Sequence, residues 1–272
     1  MKVKRVLLSS AFALRAMLSV YPIRALDDNY MYLLVDATTK EAAAVDPVDS
    51  EKMAEEVKKR GVNLTTILTT HHHYDHAGGN SLMKSLVPGA TIIAGDERVP
   101  SVDRNVADGD CFKIGSLQVT CIHTPCHTRG HICYFVADER GKKVLFSGDT
   151  LFIAGCGRFF EGTAQEMYTS LVEKLANLPD DTEVFCGHEY TVNNLRYAHS
   201  VEPNNDFITR KLHWAQEKMK NGEPTLPSTI GEEKQINPFM RVDLSVLQAH
   251  AKCPGNPLGT MKFLREEKNN FV

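Results

Sequence analysis

No stretch of about 18 uninterrupted apolar residues occurs, the length a helix needs to cross a bilayer, so no membrane span is expected. Basic charge is not in excess. The formal net charge is -3, which argues against nucleic acid as a partner by bulk charge and leaves room for a local basic cluster to hold a small anion. Internal repeats and low-complexity segments are also missing, which excludes solenoids and wholly disordered chains. There is no CxxC pair. The seven cysteines (Cys111, Cys121, Cys126, Cys133, Cys156, Cys186 and Cys253) are odd in number and scattered through a long chain. They are expected to be reduced, buried thiols of an intracellular protein rather than a disulfide framework or a zinc–thiolate site.

A chain of 272 residues allows one large domain, or one domain with a smaller one beside it. Its 42% hydrophobic and 24% charged residues are ordinary for a globular protein. Residues 1–16 carry Lys2, Lys4, Arg5 and Arg15 and no acid, a composition that suits a mitochondrial transit peptide. Basic residues ahead of an apolar core also give them some look of a secretory signal, and a disordered tail is the remaining reading. The mitochondrial matrix, the cytoplasm or both are the expected compartments.

Apolar runs at 30–36 and 42–46 predict a hairpin. Asp49 or Ser50 then caps a helix that runs to Arg60 and stops at Gly61. The β-branched run at 64–70 predicts a buried strand. Further strands are expected at 91–94, 117–122, 132–136, 144–147 and 183–186. Helices are expected after Asn80 and at 163–178, where Thr163 and Glu166 make a capping box. Past Tyr190 strand-like runs become scarce. Helices near 192–200, 206–220 and 244–251 are joined by loops, with Glu223–Pro227 reading as a linker. A boundary is expected near residue 190, with a catalytic unit at 17–190 and a helical one at 191–272.

Four of the eleven histidines fall within His71-His72-His73-Tyr74-Asp75-His76, directly after the predicted strand 64–70. Side chains two apart on an extended segment share a face, so His71 and His73 can converge on one metal ion. Asp75 has the same parity, and His76 can turn toward a second centre where Gly78 and Gly79 let the chain bend. A surface histidine cluster without a role is the alternative. Against it, His127, Asp149 and His188 each also follow the end of a predicted strand, which is where α/β proteins place their ligands. Of the other histidines, His72 has the opposite parity and points away. His123 reads as a packing or surface residue, and His131 as one that orients a ligand by hydrogen bond. His199, His213 and His250 lie on predicted helices far from the motifs.

The segment Thr70–His76 matches the HxHxDH signature and resembles the metallo-β-lactamase superfamily. His127, Asp149 and His188 match its remaining ligands in order. The resemblance implies an α/β fold, an αββα four-layer sandwich followed by a smaller C-terminal helical domain. It also implies two divalent metal ions. His71, His73 and His127 would hold one, Asp75, His76 and His188 the other, and Asp149 would bridge them together with a hydroxide. Zinc suits these ligands, and iron or manganese does too. Asp75 and Asp149 are the acidic groups expected at the reacting centre. Two such ions provide hydrolysis of esters, thioesters, lactams or phosphodiesters alike, so the site by itself names no substrate.

Blocks outside the signature narrow the choice. Asp28–Tyr32, Leu151–Arg158, Phe160–Thr163, Gly187–Thr191, Val201–Asn204, Pro227–Thr229 and Asn237–Arg241 resemble hydroxyacylglutathione hydrolase (glyoxalase II) over nearly all of residues 17–272. That family cleaves S-D-lactoylglutathione to glutathione and D-lactate, with the peptide resting on the C-terminal domain. The resemblance assigns its contacts here to Arg158, Phe160, Tyr190, Arg265 and Lys268. Cations opposite the two glutathione carboxylates make physical sense. Some members have Tyr where this chain has Phe160, which removes one hydrogen bond, and Arg158 stands in place of a Lys. The expected state is a monomer acting on a small glutathione thioester, without nucleic acid or membrane partners. The alternatives are a glutathione persulfide dioxygenase-like enzyme with one iron, and a non-catalytic relative that keeps the fold as a binding module.

Overall fold

The computed structural model describes residues 17–271, and the targeting expectation for residues 1–16 lies outside the described residues. Among the described residues, fourteen strands and nine α-helices follow in chain order. The first half holds β1 (Leu18–Ala25), β2 (Asn29–Asp36), β3 (Glu41–Val45), α1 (Ser50–Arg60), β4 (Asn63–Leu68), α2 (Tyr74–Ala77), α3 (Asn80–Leu86), β5 (Thr91–Ala94) and β6 (Arg104–Asn105). Then come β7 (Cys111–Ile114), β8 (Leu117–His123), β9 (Ile132–Ala137), β10 (Lys143–Gly148), the short β11 (Leu151–Phe152) and β12 (Gly155–Cys156), α4 (Ala164–Tyr168) and β13 (Glu183–Cys186). The last stretch is helical: α5 (Thr191–Val201), α6 (Asp206–Lys220), α7 (Ile230–Ile236), α8 (Ser245–His250) and α9 (Pro257–Asn269), with the two-residue β14 (Ser228–Thr229) before α7.

One sheet has the order β1-β2-β3-β4-β5-β6 and the other β14-β13-β10-β9-β8-β7. Alternation along the strands shows how they stack. Tyr30, Tyr32 and Leu34 pack with Ile132, Tyr134, Val136, Val144 and Phe146 of the facing sheet. Met31, Leu33 and Val35 point the other way, against Met53 of α1 and Met83 of α3. Leu145 and Val184 likewise point outward, to Met167 of α4 and the C-terminal helices. The period-two pattern of a strand thus fills three layers of contact and gives the expected αββα sandwich. Because β2 is covered on both faces, it reads as a continuous apolar run.

The hairpin at β2–β3 and the helix α1 form as expected, with Asp49 accepting from Lys52 N–H and Gly61 in the left-handed conformation at the C-terminus. Two expectations need correction, and one strand is additional to them. No element was expected at 18–25, but β1 pairs antiparallel with β2 at the sheet edge, where Pro22 is tolerated because no neighbour needs its missing N–H. The helix expected at 163–178 keeps its capping box, but is α only to Tyr168, then π over Thr169–Lys174 and 3-10 over Leu175–Asn177. Glu223–Pro227 is not a loose linker. Thr225 is buried, its hydroxyl donates to Glu189 Oε1 at 2.6 Å, and the chain runs straight into β14, which pairs with β13.

Strand direction places the site. β3 and β4 are parallel, as are β10 and β13, and β8 runs parallel to β10 across the antiparallel β9. The loops after β3, β4, β8, β10 and β13 therefore emerge at one edge of the sandwich.

Candidate metal centre and active site

The loop after β4 carries His71 and His73, and α2 carries Asp75 and His76. The loops after β8, β10 and β13 bring His127, Asp149 and His188 to the same place. Among the described residues, three groups have donor atoms close enough to hold an ion: His71 with His73 and His127; His71 with His76 and Asp149; and Asp75 with His76 and His188. His73 Nδ1 lies 3.1 Å from both His71 Nε2 and His127 Nε2. His76 Nε2 and His188 Nε2 are 3.2 Å apart. Asp149 sits between the sets, with Oδ2 3.4 Å from His127 Nε2 and from His188 Nε2, and Oδ1 3.4 Å from His76 Nε2. All seven residues singled out in the sequence converge.

The outer faces of the rings decide their protonation. His76 Nδ1 is 2.9 Å from Asp46 Oδ2, His188 Nδ1 is 2.8 Å from Asp28 Oδ1, and His127 Nδ1 is 3.1 Å from the Arg158 carbonyl. His71 Nδ1 is 3.1 Å from Thr70 Oγ1, whose own hydroxyl donates to Asp46 Oδ2 at 2.7 Å. Each outer acceptor holds the proton on the far nitrogen and leaves a lone pair facing inward, the arrangement of metal-ligating imidazoles. Lone pairs that converge this closely repel one another unless a cation lies among them. Asp149 Oδ1 is buried and has no hydrogen-bond partner, which fits the same requirement. The residues present therefore fit a pair of divalent cations.

The electrostatics agree. Burial, reinforced by His76, holds His71 well below its ordinary range, so that ring is neutral. Burial also lowers His127 and His73. At His188 burial lowers the value, but Asp149, Asp75 and Asp28 outweigh it and raise it to about 11. The three carboxylates thus favour positive charge at this spot. Burial raises Asp149, yet His76 and His188 bring it well below the carboxylate range.

Residues around the ligands fix their geometry. His131 is fully buried, accepts from Asp149 N–H at Nε2 (3.1 Å), and lies 2.9 Å from Thr124 Oγ1 at Nδ1. It thus orients a ligand, as the sequence suggested. Asn29 Nδ2 donates to Asp75 Oδ2 at 3.0 Å. A Cβ on Gly187 would lie 2.3 Å from Asp149 Oδ1, so only glycine fits there. His72 turns away toward Asp96 and Glu161, and His123 Nε2 is 2.7 Å from the Arg129 carbonyl. Asp46 and Asp28 were not identified from the sequence as site residues. Asp46 follows the end of β3 just as the ligands follow theirs, and that position was the available signal.

Beside the metal ligands the surface is cationic. Arg158, Tyr190, Arg265 and Lys268 line one cavity of about 380 Å³ together with Asn193 and Phe271. Arg158 and Arg265 also line a second cavity of about 480 Å³ with Phe160. Tyr190 joins the cavity to the metal ligands: its ring stacks on His188 at 4.8 Å between centroids, with the ring planes nearly parallel. Phe160 is exposed and meets the rings of His127 and His73 at 5.2 and 5.9 Å. Arg265 and Lys268 are not on a solvated helix face. Both are buried, Arg265 donating to the Cys156 carbonyl and Lys268 to Asn193 Oδ1.

Comparison with known proteins gives the same picture. Residues 26–188 match the model of the metallo-beta-lactamase superfamily, and residues 189–271 match that of the hydroxyacylglutathione hydrolase C-terminus. The chain is 46% identical over 257 residues to a cytoplasmic hydroxyacylglutathione hydrolase of Arabidopsis thaliana, covering 93% of this chain and 99% of the relative. It is 38% identical over 270 residues to a hydroxyacylglutathione hydrolase of Dictyostelium discoideum, covering 93% of this chain and 100% of that one. Among solved structures, ETHE1 from Myxococcus xanthus superposes with a TM-score of 0.67 at 24% identity, covering 92% of this chain and 91% of that one, a likeness of fold. Two matching models that together span nearly all of the described chain, with relatives aligned end to end, establish that this chain belongs to the hydroxyacylglutathione hydrolase family of the metallo-β-lactamase superfamily.

Proposed function

We propose that the protein hydrolyses S-D-lactoylglutathione to glutathione and D-lactate, the second step of methylglyoxal detoxification. The observation that carries this is Tyr190, which stacks on the ligand His188 and lines the cationic cavity, so a thioester at the metal centre has its peptide end directed to Arg158, Arg265 and Lys268. Hydrolysis by water makes a C–O bond and breaks the C–S bond, leaving a carboxylate and a thiol. His71, His73 and His127 would hold one divalent cation, and Asp75, His76 and His188 a second, with Asp149 beside both sets; such a pair would supply water activation near neutral pH and polarisation of the thioester carbonyl. The chain's own residues do the rest. His131 and Gly187 keep Asp149 in place, while Asp46 and Asp28 keep His76 and His188 in the ligating tautomer. Arg158, Arg265 and Lys268 offer charge-assisted hydrogen bonds to carboxylates, and Phe160 supplies an apolar wall.

Zinc is the metal we propose, with iron and manganese as the other outcomes of analysis. The proposal includes a monomer, a catalytic unit at 17–190 with a glutathione-binding one at 191–272, and delivery to the mitochondrial matrix, the cytoplasm or both. Among the described residues no helix is long and apolar enough to cross a membrane. The test pairs metal analysis with thioester hydrolysis on one preparation. Two metal equivalents per chain, turnover of lactoylglutathione, and loss of that turnover on chelation are expected. Full activity with a single tightly bound ion would overturn the two-metal reading, and no preference for the glutathione thioester over a small thioester would overturn the substrate.

A further inference from the structure

Between Asp149 and Arg158 the chain makes the small β11–β12 hairpin. Strands of two residues do not hold themselves in place. Ala154 at its tip has φ of 55°, a conformation disfavoured for any residue with a side chain. What holds the hairpin comes from beyond residue 190. Asn237 Nδ2 donates to the carbonyls of Phe152 (3.2 Å) and Gly155 (3.0 Å), and Asn194 Nδ2 to that of Ile153 (3.1 Å). Glu233 Oε2 accepts from Ala154 N–H at 2.8 Å and from Asn237 Nδ2 at 2.9 Å. Arg265 Nη1 donates to the Cys156 carbonyl at 2.6 Å. Every residue from Phe152 to Cys156 is thus tied by its backbone to a C-terminal side chain. Glu233 is fully buried, and its other oxygen accepts from Ser228 Oγ at 2.5 Å.

The far side of the hairpin touches the metal ligands. A Cβ on Gly157 would lie 1.9 Å from the Asp149 carbonyl oxygen and 2.9 Å from His127 Nδ1. The next residue, Arg158, offers its carbonyl to that same His127 nitrogen. A displaced hairpin would therefore shift Asp149 and release the ring of His127. We propose that the C-terminal region builds the metal centre as well as the substrate cavity, and that Glu233, paired with Asn237, is a positioning residue for Asp149. This rests on the metal-centre part of the proposed function and not on its substrate.

The test uses the full chain and the variants Glu233→Leu, Glu233→Gln and Asn237→Ala. The amide of E233Q can keep an oxygen toward Ala154 N–H and Asn237 Nδ2 while its nitrogen donates to Ser228 Oγ. Zinc affinity is read by competition with a chelator, and coupling between the two sites by electron paramagnetic resonance of the manganese-loaded protein. E233L is expected to bind the second zinc about tenfold more weakly, the scale of a lost outer contact to a metal ligand. Its manganese coupling weakens, and its kcat falls by a similar factor on both lactoylglutathione and a small thioester while KM changes little. E233Q restores these values to within about threefold. Wild-type zinc affinity and manganese coupling in E233L would overturn the proposal, even with a lowered Tm, because the contact would then be structural only. If E233L fails to fold, N237A serves the same purpose: a partial loss of affinity supports the proposal, and unchanged metal binding overturns it. Failure of the wild type to cleave lactoylglutathione would remove the substrate assignment and leave the zinc and manganese readouts standing.

Discussion

Asp46 shows what a single residue contributes here. Its carboxylate accepts from Thr70 N–H and Thr70 Oγ1 and faces His76 Nδ1, so one buried group sets the tautomer of two ligands. In Asp46→Asn a donor replaces one acceptor. His76 then carries its proton on Nε2 and loses the inward lone pair. Metal affinity is expected to fall about 10–100-fold, measured by chelator competition, with the fold retained; unchanged affinity would show that Asp46 does not set the tautomer. Lys268 and Arg265, equivalent in the sequence, separate in the structure. Arg265 also holds the hairpin at Cys156, so Lys268→Ala is the cleaner probe of recognition. It should raise KM for lactoylglutathione, lower kcat/KM about tenfold, and spare a small thioester. Burial, with repulsion from Arg265 and Arg158, pushes the Lys268 ammonium down to about 8. Below that pH the free protein carries the charge, and above it the charge and its contact are lost. The ratio of kcat/KM for the glutathione thioester to that for the small one is therefore expected to fall as pH rises through about 8, and to be flat in K268A. A flat ratio in the wild type would remove Lys268 from recognition.

Elements with strong ends were legible, and those without were not. α1 has Asp49 at one end and Gly61 at the other; the sequence located Gly61 and narrowed the cap to Asp49 or Ser50. Asp49→Ala is expected to cost about 1 kcal/mol and to lower Tm by about 2–4 °C, with metal content unchanged, by calorimetry and metal analysis. A larger loss together with metal release would mean that Asp49 acts on the site nearby. β1 escaped because Pro22 and Arg24 break its apolar pattern, and the Pro is tolerated because β1 lies on an edge. The strands β11, β12 and β14 are two residues long, too short to show any period. Their existence depends on partners distant in the chain. β14 is held by β13, and the β11–β12 hairpin by Asn194, Glu233, Asn237 and Arg265.

At the scale of the whole molecule, the C-terminal helices are part of one packing unit with the second sheet. Leu145, Val184 and Met167 share a core with Tyr197, Phe239, Leu247, Met261 and Leu264, and β14 completes the sheet edge. Removal of residues 191–272 would expose that face and an unpaired edge strand, and the truncated chain is expected to aggregate in size-exclusion chromatography. A soluble monomer with cooperative unfolding would show that residues 17–190 stand alone. The sequence by itself picked out the seven His and Asp residues that the structure brings together, because metal chemistry demands those residue types and because strand ends recur at them with a spacing that is local. It determined the family through blocks spread along the chain. The sandwich followed from that family resemblance, and the order of strands and helices agrees with it without producing it alone. Only the tertiary structure decided that Asp46 and Asp28 orient His76 and His188, that Arg265 is tied to Cys156, and that Glu233 holds the hairpin behind Asp149. Each of these is a pairing across a long separation in the chain, from 30 residues between Asp46 and His76 to 160 between Asp28 and His188. A hydrogen bond of that kind leaves no period and no local motif, since its geometry exists only once the sheets have stacked.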